Sequence, residues 1–365
     1  MIKKLSFLVL GSASLVLAGC GASSATTGVN TTLGGKALAA IQPPPFIPGP
    51  LNGLSTPRAS ALRRPLAVIL ENYAPDSRPQ SGLSQASVVI ETLAEGGVTR
   101  FMALYLEHDA RKVGPVRSTR MYFDDWAAGF HSILTHVGGN DDAQNLLWHL
   151  PKVFNIDENR WEVNLYNTGT SLFWRSRDRV APHNMYVNTK TLRAYAVRNH
   201  QDWVYTGASF PHKQSLPLRQ RGHQTIIDIN YLNPLGPQPS NAYRVRYQYN
   251  RVENVYARYM GGAPHIDQLN NRQLRPANVV LMMTGRPAAD PAAGPTLESI
   301  TIPTIGSGKV VVFQDGRAIY GTWHQPNKDA PLNYRDSRGH PIALNPGQTW
   351  VEVVPLGSPR SWIVR

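Results

Sequence analysis

Hydrophobic stretches and helical periodicities alternate through the first half of the chain. Residues 66–70, 88–93 and 98–106 are apolar runs with the length of buried strands, and the second and third are predicted to pair as a hairpin. Aromatic and alanine positions over residues 123–130 recur at helical spacing, which predicts a helix capped by Ser118. Strands interleaved with helices are typical of a mixed-sheet α+β domain.

From about residue 220 onward the helical signal disappears and short strand-like stretches follow one another. Asp315-Gly316, between two of these stretches, is a strong signal for a hairpin turn. The pattern therefore predicts an α+β chain with an N-terminal mixed-sheet domain over residues 65–219 and a smaller, mainly antiparallel β domain over residues 220–365. The predicted strands of the second half are residues 243–249, 255–259, 279–283, 309–313, 318–323 and 350–354.

The N-terminal segment has the features of a bacterial lipoprotein signal. Two lysines precede a short apolar run, and Leu17-Ala18-Gly19-Cys20 matches the sequence at which lipoproteins are cleaved and lipidated. We therefore expect residues 1–19 to be a signal peptide and Cys20 to carry the lipid anchor. Residues 20–64 are rich in Ala, Thr, Gly and Pro, and this composition predicts a disordered tether.

Charge and cysteine content narrow the choice of partners. Cys20 is the only cysteine, so no thiol is left for a disulfide, a nucleophile or a metal site. The formal net charge of +13 favours contact with anionic lipids and anionic wall polymers. The expected location is the outer face of the bacterial cytoplasmic membrane, with an outer membrane as the alternative. Other envelope proteins are further candidate partners, and no nucleic acid is expected as a partner there.

One short segment carries the main functional hypothesis. With Ser118 as the cap, Arg117 and Arg120 would lie at the start of the following helix. A helix N-terminus is already electropositive, so cations there are unfavourable unless an anion lies between them and the free backbone amides. The alternative is that Glu91 or Glu95, from the preceding hairpin, pairs with these arginines.

Further polar residues are candidates for the same anion site. Arg100 lies in the second strand of the predicted hairpin, and Arg179, His183 and Asn184 lie in a dense polar segment before a predicted strand. Together with the segment that contains Ser118, they complete the predicted ligand-binding set. A solvated loop is the alternative interpretation of the polar segment.

Other motifs do not point to a cofactor or a metal. Gly138-Gly139 resembles a phosphate-binding turn, but Asp141 and Asp142 would repel an anion there. His131 and His136 point to opposite faces of a strand, which disfavours a shared metal. The sequence has no dinucleotide fingerprint, phosphate-loop lysine or zinc-protease motif. We therefore expect no cofactor and no metal.

Several longer motifs resemble those of the YerB-like lipoproteins. The resemblance covers nearly all of the chain after the predicted tether, and it implies a two-domain exported bacterial lipoprotein whose biochemical activity has not been established. Asn140-Asp141-Asp142 departs from the small residues that follow the glycine pair in that family. The motifs are RPQSGLSQA at 78–86, EGGVTRF at 95–101, GPVRS at 114–118, APHN at 181–184 and NPGQTW at 345–350.

Three functional hypotheses follow. The first is a binding lipoprotein whose arginines hold a carboxylate or phosphate of an envelope ligand such as a muropeptide. The second is a hydrolase or transferase acting on envelope glycans, with Glu91 or Glu95 as acid and base and His136 or His183 assisting. The third is a scaffold that recruits other envelope proteins through the β domain. Two carboxylates about 5–10 Å apart in an open cleft would favour the enzyme, whereas a carboxylate bound to each arginine would favour binding or structure.

Overall fold

The structure, a computed structural model, describes residues 44–160, 163, 172–205, 207, 209–223, 226–231, 240–285, 288–289, 300–355 and 362–364. The predicted signal peptide, Cys20 and the first part of the predicted tether lie outside these residues. Pro44–Arg365 groups into one compact unit.

Strands dominate the secondary structure, and the helices are few and short. Up to residue 160 the elements are β1 (Phe46–Pro48), β2 (Ser55–Pro57), α1 (Arg58–Ala61), β3 (Leu66–Glu71), β4 (Val88–Leu93), β5 (Thr99–Tyr105), α2 (Met121–Gly129), β6 (Ile133–His136), α3 (Asp141–Leu147) and β7 (Phe154–Asp157). The later elements are β8 (Phe173–Arg175), β9 (Met185–Val187), α4 (Thr189–Arg198), β10 (Ile226–Ile229), β11 (Val245–Asn250), β12 (Val255–Met260), β13 (Ala263–Pro264), β14 (Ile266–Asp267), β15 (Arg272–Gln273), β16 (Asn278–Thr284), β17 (Ala288–Ala289), β18 (Ile300–Thr301), β19 (Gly306–Gln314), β20 (Arg317–Gln325), β21 (Asn333–Asp336), β22 (Thr349–Pro355) and β23 (Trp362–Val364).

A ten-stranded mixed sheet forms the centre of the described part of the chain, in the order β21-β20-β19-β16-β22-β4-β5-β3-β6-β7. Every residue of β3, β4, β5 and β16 is buried, which explains why these strands are nearly continuous apolar runs. A smaller antiparallel sheet has the order β13-β12-β11-β10-β23. The predicted class, α+β with a large mixed sheet and smaller antiparallel sheets later in the chain, is confirmed.

The large sheet takes strands from both halves of the chain. β22 pairs in parallel with β4, where Thr349 lies opposite Val88, and it also pairs in parallel with β16. The sequence pattern did not predict this pairing, because apolar periodicity shows that a strand is present without identifying its partner. Strands on both sides of residue 220 therefore share one sheet and one hydrophobic core.

The folded body begins earlier than predicted. Residues 44–64, which were expected to belong to the disordered tether, contain β1, β2 and α1. Leu51 is fully buried, and the backbone N–H groups of Leu51 and Asn52 donate to the Glu107 carboxylate at 2.9 and 3.2 Å. The Pro- and Gly-rich composition predicted disorder because it does not reveal these long-range contacts.

Helix α2 begins later than predicted. Its N-cap is Arg120, in an extended conformation, and its first helical residue is Met121. The segment from Val116 onward bridges to the end of β3, so it is extended where the sequence predicted a helix start at Ser118. The prediction that Arg117 and Arg120 both lie on the first helical turn is therefore wrong.

The sequence predicts that Asn188 caps a helix and that Asp315-Gly316 forms a hairpin turn, and both predictions are confirmed. The side chain of Asn188 caps α4 by accepting the N–H of Lys190 at 2.9 Å. Asp315 and Gly316 have φ values of 52° and 64° and join β19 to β20. Two consecutive residues with positive φ are what a tight hairpin turn of this kind requires.

Candidate functional site

The carboxyl ends of three strands meet at one edge of the large sheet. β3 is parallel to β6, and β3 and β4 are both antiparallel to the β5 strand between them. Glu71 is the last residue of β3, Glu95 follows the end of β4, and Arg100 lies near the start of β5. Ligands of α/β sheets usually bind at the carboxyl edge of parallel strands, so this edge is a candidate site.

Glu71 is bound by an arginine and a histidine side chain. Its carboxylate lies 3.0 Å from Nε of Arg117 and 3.0 Å from Nδ1 of His183. The backbone N–H of Glu71 donates to the carbonyl of Pro115, which holds the arginine segment beside the strand end. The Arg117 side chain remains 30% exposed, whereas that of Glu71 is only 7% exposed. Arg117 is therefore the part of this pair that a ligand can reach.

Glu95 connects two further arginines. Arg120 donates to both of its carboxylate oxygens, at 2.5 and 2.8 Å, and the nearest guanidinium nitrogen of Arg100 is 3.9 Å away. Burial alone would raise the pKa of Glu95, but the Arg120 guanidinium lowers it below its usual value, so the carboxylate stays ionised. Arg100 also donates to the backbone carbonyl of Ser118 at 2.8 Å.

A polar loop covers the Glu71 side of the cluster. The amide nitrogen of Asn184 donates to the carbonyls of Ser176 and Arg179, both at 3.1 Å, and so fixes the loop internally. Arg179 in turn donates to the carbonyl of Asp76 at 3.0 Å. The ring of His183 stacks on the half-exposed ring of Tyr73, with 5.2 Å between centroids.

The structure thus brings the predicted ligand-binding residues into one connected cluster. Two of its members, Glu71 and Tyr73, were not among the predicted site residues. Glu71 could have been found, because a carboxylate that ends a fully apolar strand lies at the edge of the sheet where ligands bind. We call the cluster the arginine site; its members are Glu71, Tyr73, Glu95, Arg100, Arg117, Ser118, Arg120, Arg179, His183 and Asn184.

The alternative catalytic residue Glu91 lies in the protein interior. Its side chain is completely buried and bonded to Arg258, and it also accepts a hydrogen bond from Thr99 at 2.5 Å. Burial raises the pKa of Glu91 to about 8. A general acid must reach the proton that it transfers, and this carboxyl group has no path to a bound substrate.

Two further catalytic candidates, His136 and Glu95, are also bound by neighbouring protein groups. His136 is fully buried, with Nδ1 2.7 Å from the carbonyl of Gly138 and Nε2 2.7 Å from Oδ1 of Asn155. Glu95 is the bidentate partner of Arg120. The geometry therefore does not support the hydrolase hypothesis, which needs two carboxylates free in an open cleft.

The backbone N–H groups of the glycine turn after β6 are bound by a carboxylate of the protein itself. The carboxylate of Asp157 accepts the N–H of Gly138 at 2.7 Å and that of Asn159 at 3.1 Å, which fills the place that a phosphate would take. Among the described residues, no group of three His, Cys, Asp or Glu side chains could hold a metal ion. A search of the same residues finds no helix long and apolar enough to cross a membrane.

Comparison with known families agrees with this architecture. Residues 51–202 match the N-terminal domain, and residues 237–351 the C-terminal domain, of the family described as "Protein of unknown function (DUF3048)". A mixed-sheet α+β domain followed by a smaller β region is the class that the fold defines. The chain belongs to the DUF3048 family.

The relatives include a protein of Bacillus subtilis (strain 168) whose recorded name is "Putative lipoprotein YerB". The two sequences are 29% identical over 320 residues, which cover 84% of this chain and 86% of that protein. The crystal structure of the Bacillus subtilis YerB protein superposes with a TM-score of 0.73 at 27% identity, covering 87% of this chain and 99% of that chain. The resemblance drawn from the sequence motifs is therefore confirmed.

Proposed function

We propose that this protein is a lipid-anchored envelope lipoprotein that binds an anionic group, a carboxylate or a phosphate, at the arginine site. The ligand belongs to the cell envelope, either a wall polymer or a muropeptide. Cys20 would carry the lipid on the outer face of the cytoplasmic membrane, in line with the name of the Bacillus relative.

The observation that carries the proposal is an excess of guanidinium groups. Among the residues that the structure describes, Arg100, Arg117 and Arg120 share the carboxylates of Glu71 and Glu95, which leaves one positive charge uncompensated. Arg100 is the least neutralised of the three, because its nearest carboxylate oxygen is 3.9 Å away and already belongs to Arg120. Burial, together with the charges of Arg120 and Arg117, lowers the pKa of Arg100. A bound anion would raise this pKa again, because it favours the charged guanidinium.

A neighbouring carboxyl group does not remove this excess. Asp124 lies on α2 close to Arg120, but burial raises its pKa well above the usual value, which disfavours its charged form. Arg179 is close to the cluster and donates to the backbone carbonyls of Asp76 and Pro79, which carry no charge. Both facts increase the positive potential that an anion would meet.

Titration of inorganic phosphate and of N-acetylmuramic acid tests the proposal. Arg117→Gln removes the most exposed guanidinium and should weaken binding of at least one of these anions about tenfold, the value of one charge-assisted hydrogen bond. Arg272→Gln, at an exposed arginine outside the site, removes the same charge and should change affinity less than twofold. Equal affinities in the two variants, or no binding by the wild type, would overturn the proposal.

A further inference from the structure

The small antiparallel sheet has a second cavity, separate from the arginine site. Along β11 the residues alternate, with Val245, Tyr247 and Tyr249 buried and Arg246 and Gln248 exposed. The outward side chains of β10, β11 and β12 line a cavity with a volume of about 740 Å³. This volume is in the range of about 300–1,000 Å³ that is typical of small-molecule sites.

Polar side chains without partners among the described residues line this cavity and are available to bind a ligand. Five of its side chains form no hydrogen bond or ion pair anywhere in the described part of the chain: Asn230, Asn241, Arg244, Gln248 and Tyr259. Four of them are amide or guanidinium side chains from one sheet face and its border, which is a high density of unused donors and acceptors. A ligand rich in hydroxyl groups could use these groups, since each hydroxyl both donates and accepts.

The row of residues across the sheet adds an aromatic surface. Asp228 lies opposite Arg246, and Arg246 lies opposite Tyr259 on the next strand. The Asp228 carboxylate holds the Arg246 guanidinium at 2.6 and 3.1 Å, so this pair is oriented before any ligand arrives. The half-buried Tyr259 beside it offers an apolar ring face with a polar tip.

We propose that this cavity is a glycan-binding site. One pyranose ring would pack its C–H groups on Tyr259, and its hydroxyl groups would bond to the amides of Asn230 and Gln248. Arg244 is the one unpaired charge among the described lining residues, so an acidic sugar is accepted as well as a neutral one. Most of the side chains that line this cavity are uncharged, unlike those of the arginine site. The proposed glycan-binding site is independent of the function proposed above.

A neutral tetrasaccharide of N-acetylglucosamine, titrated by calorimetry into the full chain in detergent, tests the assignment. Tyr259→Ala and Gln248→Ala should each weaken binding about tenfold or more, because they remove the ring surface and a central amide. Val255→Ala is the matched control, since its side chain lies on the same outer face of β12 but outside the cavity. It should change affinity less than twofold.

Three outcomes would overturn the assignment. They are no saturable binding of the tetrasaccharide, equal loss in Val255→Ala, or binding of a single-stranded oligothymidylate at Tyr259 in place of the glycan. Unfolding curves in urea must show that each variant is folded, and Gln248→Ala serves if Tyr259→Ala is not. Arg117→Gln should leave glycan affinity unchanged, which separates this site from the arginine site.

Discussion

Arg258 and Glu91 form an ion pair in which both side chains are completely buried. A second buried carboxylate, that of Glu352, lies 3.7 Å from the same guanidinium. The guanidinium also packs 4.2 Å from the centre of the Trp350 ring and donates to the hydroxyl of Tyr247 at 3.0 Å. Arg258 belongs to the small sheet and Glu91 to the large one, so the pair joins the two sheets.

Arg258→Met should destabilise the protein strongly. Above about pH 8, where Glu91 is ionised, this substitution leaves two buried carboxyl groups without a cation, and breaking a buried pair in this way costs about 3–5 kcal/mol. Arg275→Met breaks the exposed pair with Glu253 and should be far less destabilising, because water screens that pair and can replace it. Urea unfolding measures both free energies. Adding Glu91→Gln to Arg258→Met should recover part of the loss, and equal losses in the two single variants would contradict this account.

Stability should depend on pH through Glu91. Burial raises the pKa of Glu91 from 4.5 to about 8, so between these values the folded protein keeps a proton that the unfolded chain has released. The stabilisation of the folded state by the proton on Glu91 is therefore complete below about pH 4.5, and it is lost as pH rises through about 8.

Glu91→Gln keeps the neutral form at every pH and therefore isolates this effect. The free energy of unfolding of this variant, minus that of the wild type, should increase with pH by up to about 1.4 kcal/mol per pH unit. Urea titrations at several pH values between 5 and 8 measure the difference. A difference that stays constant would show that Glu91 is ionised throughout this range.

Local features of the fold could be read from the sequence, but pairings between distant segments could not. The β3 strand, the Asn188 cap and the Asp315-Gly316 turn depend on neighbouring residues, and all three are present in the structure. The parallel pairing of β22 with β4 joins strands that are more than 250 residues apart, and their apolar patterns contain no information about the partner.

The same distinction applies to the arginine site. Arg117 and Arg120 could be singled out because their charges conflict with a helix start, although the helix begins later than predicted. Glu71 was missed because its role in the site depends on a distant residue. Its carboxylate is bound by His183, which lies 112 residues further along the chain. Sequence reasoning found the arginines of the site and, as an alternative, the Glu95 carboxylate that binds Arg120, but it did not find Glu71.

Asp267→Ala should destabilise the contact between two loops. The buried Asp267 carboxylate accepts the N–H groups of Gly82, Ser84 and Leu269 at 2.8, 2.7 and 2.8 Å. Leaving these amides without an acceptor should cost on the order of 3 kcal/mol, whereas Asp267→Asn keeps one oxygen and should cost less.

Asp336→Ala is the control for this effect, because Asp336 also accepts backbone N–H groups, from Arg338 and His340 at 2.9 Å, but in an exposed turn. Water can replace the carboxylate there, so Asp336→Ala should be much less destabilising than Asp267→Ala. Thermal or urea unfolding compares the three variants. If Asp267→Ala is no more destabilising than Asp336→Ala, the buried carboxylate does not stabilise the loops as inferred.

Removing a carboxylate from the arginine site should strengthen anion binding. In the wild type, Glu71 neutralises much of the Arg117 charge and repels an anion that approaches it. Glu71→Gln keeps the size and the hydrogen-bonding oxygen but removes the charge, so phosphate affinity should rise about threefold to tenfold. Glu253→Gln removes an exposed carboxylate elsewhere and should change affinity less than twofold. The gain should shrink as salt is raised, because screening weakens the interaction that the substitution exposes. Weaker phosphate binding by Glu71→Gln than by the wild type would mean that Glu71 positions Arg117 rather than competing with the ligand.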